Sequence, residues 1–160
     1  MDREGQRSEL RSKAAIIISS LFYTGYIPLA PGTFGTVIAL VFLMIFKIEG
    51  FIFYSFLLFI LILGIYVSDK AEQATGEKDS RHIVIDEFAG YMVSMAGVTP
   101  QWKNLLIAFL LFRFFDILKP FPIRDIERRL SGGLAIMLDD IIAGLYSNII
   151  LRLLIVIALL

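Results

Sequence analysis

The sequence predicts an all-α fold: a polytopic membrane helix bundle of about four to five membrane segments, with a re-entrant or half-helix element at its N-terminus. Three observations predict it. First, 58% of the 160 residues are apolar and the mean hydropathy is +0.78, whereas soluble domains sit near about 45–50% apolar. A water-soluble fold of this length could not hide so much apolar surface. Second, Phe51 to Val67 is an unbroken uncharged run, long enough with its flanks to span a bilayer. Third, the other apolar stretches alternate with short charged or Pro/Gly-containing connections. No internal repeat, low-complexity tract or interdomain linker interrupts them, so residues 1–160 read as one domain.

Met1 to Lys13 is polar and carries Arg3, Arg7, Arg11 and Lys13. Ala14 to Phe22 is apolar but too short to span. Together they have the basic and apolar regions of a signal peptide, but no small-x-small cleavage site follows cleanly. A turn-rich stretch from Tyr26 to Thr36 leads to the apolar Val37–Phe46, and Lys47–Gly50 is a short connection. Beyond Phe51–Val67 lies a charged segment, Ser68 to Arg81. Ile83 to Val98 is apolar except for Asp86 and Glu87. The turn Thr99–Lys103 holds Pro100 and Trp102, the latter suited to a membrane interface. Leu105 to Leu118 is apolar except for Arg113 and Asp116, and Pro120 and Pro122 stop it because neither can donate a backbone hydrogen bond. Residues 123–130 are amphipathic and basic. Gly132-Gly133 opens the last segment, which runs to Leu160 and contains Asp139, Asp140 and Arg152.

Most Lys and Arg lie in the N-terminus, the 68–82 loop and the 119–130 loop. The positive-inside rule then places the N-terminus, 68–82 and 119–133 inside, and 47–50, 99–103 and the C-terminus outside. Residues 14–46 make one net crossing in this topology, with Ala14–Phe22 as the half-helix and the Pro/Gly loop near the cytoplasmic surface. Irregular backbone at that depth must be buried in protein or line a wet cavity.

Composition excludes several chemistries. Lys plus Arg is 15 and Asp plus Glu is 15, so the net charge is zero. A nucleic-acid partner would need a basic excess. With no cysteine there is no disulfide framework and no thiolate nucleophile. One histidine, His82, cannot make a His-rich zinc or copper site. A metal bound here should be a hard cation held by oxygen.

Topology turns scattered charges into a candidate site. Asp86 and Glu87 start a helix entering from the cytoplasm, Asp116 ends one returning to it, and Asp139 and Asp140 lie near the start of another. Carboxylates at that depth should face the bundle interior and be neutralised. Arg113 and Lys119 flank Asp116 at spacing three and balance part of the charge; a divalent cation is the simplest remaining partner. Asp86 heads a stripe with Gly90, Ser94 and Gly97, and Asp140 one with Gly144 and Ser147, the small residues that close helix approach in lipid requires. The loop holding Thr33, Gly35 and Thr36 can present N–H and hydroxyl donors to a phosphate. Each feature also has a plainer reading. An acid at a helix N-terminus favours the dipole, Arg113 can pair locally with Asp116 or snorkel, and the threonines can cap a helix. His82 reads as a bystander, Glu77 and Asp79 as solvated loop charges. The basic N-terminus with Arg124, Arg128 and Arg129 reads as a contact for anionic lipid heads.

Four segments carry a resemblance: Pro28–Thr36, Ile83–Gly90, Phe112–Ile123 and Gly132–Gly144. In that order they resemble the phosphatidylglycerophosphatase A family over nearly the whole chain. The resemblance implies a magnesium-dependent phosphatase of the bacterial inner membrane, active on its cytoplasmic side. It would hydrolyse phosphatidylglycerophosphate to phosphatidylglycerol and inorganic phosphate in glycerophospholipid biosynthesis. The family's acidic pairs fall on Asp86-Glu87 and Asp139-Asp140, its Arg-x-x-Asp-x-x-Lys-Pro block on Arg113, Asp116, Lys119 and Pro120, and its Pro-Gly-Thr-x-Gly loop on Pro31 to Gly35. Ala135 stands where the last block usually has a third glycine.

The expected centre is therefore Asp86, Glu87, Asp116, Asp139 and Asp140 as catalytic and Mg²⁺-holding groups. Arg113, Lys119, Thr33, Gly35 and Thr36 are expected on the substrate phosphate. The competing reading from another class is a small cation or proton transporter, since acids within a membrane also mark ion paths. It would need a polar trail across the membrane. Neither the aspartate block of the alcohol-phosphotransferases nor the paired histidines of the His-based lipid phosphatases occurs in the sequence.

Overall fold

A computed structural model of the chain describes residues 3–78 and 80–159. Among these the fold is all-helical: α1 (Arg3–Ser19), α2 (Pro31–Phe46), α3 (Gly50–Thr75), α4 (Ile85–Ser94), α5 (Trp102–Leu118), α6 (Ile123–Arg129) and α7 (Gly133–Leu159), with a single 3-10 turn at Thr24–Tyr26. Helix boundaries follow local chemistry. Pro31 occupies the first position of α2, where its missing N–H costs nothing. Gly76 ends α3 in the left-handed region at φ 71°, its N–H donating to Glu72 O at 2.9 Å.

Helices α3 and α7 are long and apolar enough to cross a membrane. At 26 and 27 residues they extend roughly 40 Å. Most of each is left uncovered by the rest of the protein, with Phe51 at 87% and Ile157 at 66% exposure. An apolar surface of that extent marks a face meant for lipid, and the protein is membrane-associated. Helix α2 is apolar but shorter.

Two segments differ from the sequence expectation. Ala14–Ser19 continue from the polar N-terminal residues as one helix, α1, on whose surface Lys13 pairs with Glu9 at 2.6 Å, and residues 20–23 turn away from it. The apolar stretch Ile83–Val98 yields only ten helical residues in α4, roughly 15 Å, about half the hydrocarbon thickness. It continues as turns through Val98.

Helix α4 is the centre of the bundle and touches α2, α3, α5 and α7. Every residue of it except Glu87 is buried. Its closest neighbour is α7, and glycines set the distance: a methyl on Gly90 would lie 2.6 Å from Asp140 O, and one on Gly144 3.0 Å from Val93 Cβ and in collision with Gly90 O. Close approach of small residues is how helices associate where lipid supplies no hydrophobic drive. The expected stripes thus meet each other. Gly90 pairs with Asp140 and Gly144, and Ser94 O accepts from Asn148 Nδ2 at 2.8 Å. The two helices run in the same direction.

Candidate active site

The approach to α4 is fastened to the end of α1. Val84 N donates to Ser19 O at 2.9 Å, and His82 Nδ1 lies 3.0 Å from Gly25 O with its ring stacked on Tyr26 at 4.2 Å. His82 is therefore a structural residue of this junction. Its position leaves Asp86 and Glu87 in the first turn of α4, where unsatisfied N–H groups and the helix dipole favour negative charge. Because α7 runs parallel to α4, Asp140 near its start arrives at the same level. Helix α5 runs the other way and delivers Arg113 and Asp116 at its C-terminal end.

Carboxylate oxygens of Asp86, Glu87 and Asp140 all lie within 4.8 Å of one another. Asp86 is 9% exposed and Asp140 4%. Glu87 interacts with Asp86, and its Oε2 is buried without a hydrogen-bond partner. Asp116 forms an ion pair with an Arg113 guanidinium nitrogen and also interacts with Asp140. Arg113 Nε is buried and meets no protein acceptor. Lys119 Nζ bonds Asp139 Oδ2 at 3.1 Å.

The structure thus divides the five predicted acids. Asp86, Glu87 and Asp140 form the converging group, Asp116 bridges it to Arg113, and Asp139 faces away toward Lys119. Consecutive residues on a helix point about 100° apart, so Asp139 and Asp140 cannot share a target as easily as their adjacency suggests. Asp139 also lines a small cavity with Glu72 of α3, a neighbour that a segment-by-segment reading of charge misses.

The predicted phosphate loop is also different. Pro31 to Thr36 are the first turns of α2 rather than a loop. Thr36 is fully buried and its hydroxyl donates to Gly32 O at 2.9 Å, so it is not aimed at a ligand, and Gly35 presses against Val84 O. Thr33 is half-buried in the first turn. The glycine that borders the carboxylates is Gly32: a Cβ there would collide with Glu87 Oε1 and lie 3.2 Å from an Arg113 guanidinium nitrogen. Ala135 lies in the first turn of α7, its N–H bonded to Gly132 O at 3.0 Å and its φ not positive, so the position does not require glycine's conformational freedom. Arg124 bonds Leu118 O at 3.1 Å and Glu77 accepts from Ser80 Oγ at 3.0 Å. Asp79 and the side chains of Arg3, Arg128 and Arg129 lie outside the described residues.

The converging group fits a hard divalent cation. It offers only oxygen, from three carboxylates on two helices, one of them with a buried oxygen that no protein donor satisfies. Three acids at this separation, two of them buried, repel one another, and a cation relieves that repulsion. No carboxylate follows Asp140 along α7 and none lies in α3 before Asp69, so no acidic trail crosses the bundle. The transporter reading is left without support.

Fold and site together define a helical, membrane-associated protein built around a buried carboxylate centre. The profile of the family described as phosphatidylglycerophosphatase A matches residues 17–155. Phosphatidylglycerophosphatase A of Haemophilus influenzae is 40% identical over 134 residues, covering 81% of each chain. Phosphatidylglycerophosphatase A of Escherichia coli K12 is 36% identical over 128 residues, 79% of this chain and 74% of that one. A Bacteroides thetaiotaomicron protein, provisionally named a phosphatidylinositol-3-phosphatase, is 36% identical over 145 residues, 85% of this chain and 90% of that one. No solved structure matches the chain. The chain belongs to the phosphatidylglycerophosphatase A family.

Proposed function

We propose that the chain is a Mg²⁺-dependent phosphatidylglycerophosphatase, releasing inorganic phosphate from phosphatidylglycerophosphate and leaving phosphatidylglycerol. The reading places it as a multi-pass protein of the bacterial inner membrane, with its site on the cytoplasmic side and α2 and the α4–α5 hairpin completing about four to five membrane segments. The observation that carries it is the convergence of Asp86, Glu87 and Asp140 beside the Arg113–Asp116 pair, in a chain whose relatives bear that enzyme's name.

Asp86, Glu87 and Asp140 would hold the cation, with Asp116 adjoining. When bound, Mg²⁺ supplies charge neutralisation for a phosphomonoester and lowers the pKa of a bound water. The chain's own groups do the rest. Arg113, with its Nε unengaged by protein, binds a phosphate oxygen and is aimed by Asp116. Lys119 adds positive charge at the same end of α5, held by Asp139. Thr33, in the first turn of α2, is the remaining hydroxyl within that block. The acyl chains stay in lipid while the head group reaches the site.

The test is phosphate release by the purified protein in detergent, with Mg²⁺, with EDTA, and for Asp86→Asn. Phosphatidylinositol 3-phosphate runs alongside, because of the Bacteroides relative. Release from phosphatidylglycerophosphate that requires metal and disappears in the variant supports the reading. Preferential release from the inositol lipid would replace the substrate but keep the chemistry. No release from either, by folded protein, would sink it.

A further inference from the structure

A cleft of about 630 Å³ opens between α1 and α3, and none of the residues of the carboxylate centre lines it. Its wall carries Arg7 and Arg11 from α1 and Lys70 from α3, and no carboxylate among the described residues. Arg7 and Arg11 are four residues apart, on one face of their helix. Lys70 donates to Gln73 Oε1 at 2.9 Å and lies 3.8 Å from Asp69, so its charge is partly offset, and the two arginines supply the excess.

The cleft has a direction. Tyr66 lines it and is 55% exposed, and the same face of α3 continues at helical spacing through Ile62 and Phe59, exposed 62% and 57%. One surface therefore passes from three cations, through an aromatic of the kind that settles at a bilayer interface, to bare hydrocarbon. Cations beside an anionic leaflet attract lipid heads, and the apolar stripe has no use for a free anion.

We propose that this cleft binds an anionic phospholipid of the surrounding bilayer, its phosphodiester between Arg7, Arg11 and Lys70 and an acyl chain along Ile62 and Phe59. The site is separate from the catalytic one and does not depend on the proposed reaction. It makes α1 a lipid-held arm rather than a solvated tail.

Native mass spectrometry of the full chain in detergent, with phosphatidylserine as the probe, tests this, because that lipid is an anionic phosphodiester and not the proposed product. Phosphatidylcholine, inorganic phosphate and the variant Lys103→Gln, in the 99–103 turn, are controls. Wild-type protein should retain phosphatidylserine at least about tenfold over phosphatidylcholine. The triple variant Arg7→Gln/Arg11→Gln/Lys70→Gln should fall to the phosphatidylcholine level, with Lys103→Gln unchanged. If the triple variant does not fold, Arg11→Gln alone should lose about fivefold. Unchanged retention in the folded charge variants overturns the proposal. So does complete displacement by millimolar inorganic phosphate, which would make the cleft a plain anion site, or unchanged retention in Ile62→Ser/Phe59→Ser.

Discussion

The carboxylate of Glu87 rests against the backbone of Gly32, in a space that a single methyl group would fill. Gly32 is helical, so alanine there should favour α2 by roughly 1 kcal/mol of intrinsic propensity. The Gly32→Ala variant should therefore fold and insert normally yet displace Glu87 and crowd Arg113. A misplacement of that size costs on the order of 100-fold in rate. Initial rates of phosphate release, beside an unchanged far-UV spectrum and elution volume, check it. Wild-type activity would mean that Glu87 has room to move without consequence.

Asp140→Asn separates stability from function. Removing one of three close acids relieves repulsion, so the metal-free variant should melt at least about 3 °C higher than wild type, the shift that ~1 kcal/mol gives in a chain of this size. The further stabilisation by added Mg²⁺ should disappear, because mass action stabilises only through a site that binds. A variant that melts lower without metal but still responds to Mg²⁺ would remove Asp140 from the cation's ligands.

Lys119 and Asp139 should behave as a pair. A double-mutant cycle with Lys119→Met, Asp139→Asn and their combination is expected to show a coupling of about 1–3 kcal/mol in thermal stability. Mg²⁺ affinity of Asp139→Asn should stay within about threefold of wild type, since the acid's charge reaches the cation site only at a distance. A loss as large as that of Asp140→Asn would return Asp139 to the cation.

The far end of α4 depends on α7. Asn148 donates to Ser94 O at 2.8 Å and Ala96 O at 2.9 Å, and Arg152 donates to Ala96 O at 2.6 Å. These carbonyls lie at the C-terminal end of α4, where the helix itself leaves them without a partner. Asn148→Leu keeps the bulk and removes these two bonds together with the one that Asn148 Oδ1 accepts from Arg152 Nε at 2.9 Å, and should destabilise by about 1–3 kcal/mol. Denaturant titration of the detergent-solubilised variant measures it, and a change below about 0.5 kcal/mol would contradict the capping role.

Much of this was legible in the sequence. Phe51–Val67 and Gly132–Leu160 announced the two long apolar helices, because an uncharged run of that length has few other uses. Asp86 and Asp140 were legible as partners because each heads a stripe of small residues, and Gly90 and Gly144 do meet. The stripe went further than its first reading: Asp140, Gly144, Asn148 and Arg152 follow at steps of four, and the last two are the cap of α4. What stayed hidden was side-chain direction. Adjacency made Asp139 and Asp140 look equivalent, and only the rotation of α7 against α5 sends one to Lys119. The Pro-Gly-Thr block looked like an anion loop because Gly and Thr serve both purposes. Its glycine instead makes room for a carboxylate, which depends on how α2 packs on α4.

Helix α4 has no outer side. Nine of its ten residues are buried, and the tenth, Glu87, belongs to the carboxylate group. Ordinary helices keep a lipid or water face on which substitutions drift freely, as α3 does along Phe51, Ile52 and Leu58. In α4 every change of volume or polarity is registered by a neighbour on α2, α3, α5 or α7. The shortest of the central helices is thus the one with the least room to vary, and sequence drift is left to the exposed faces of the helices around it.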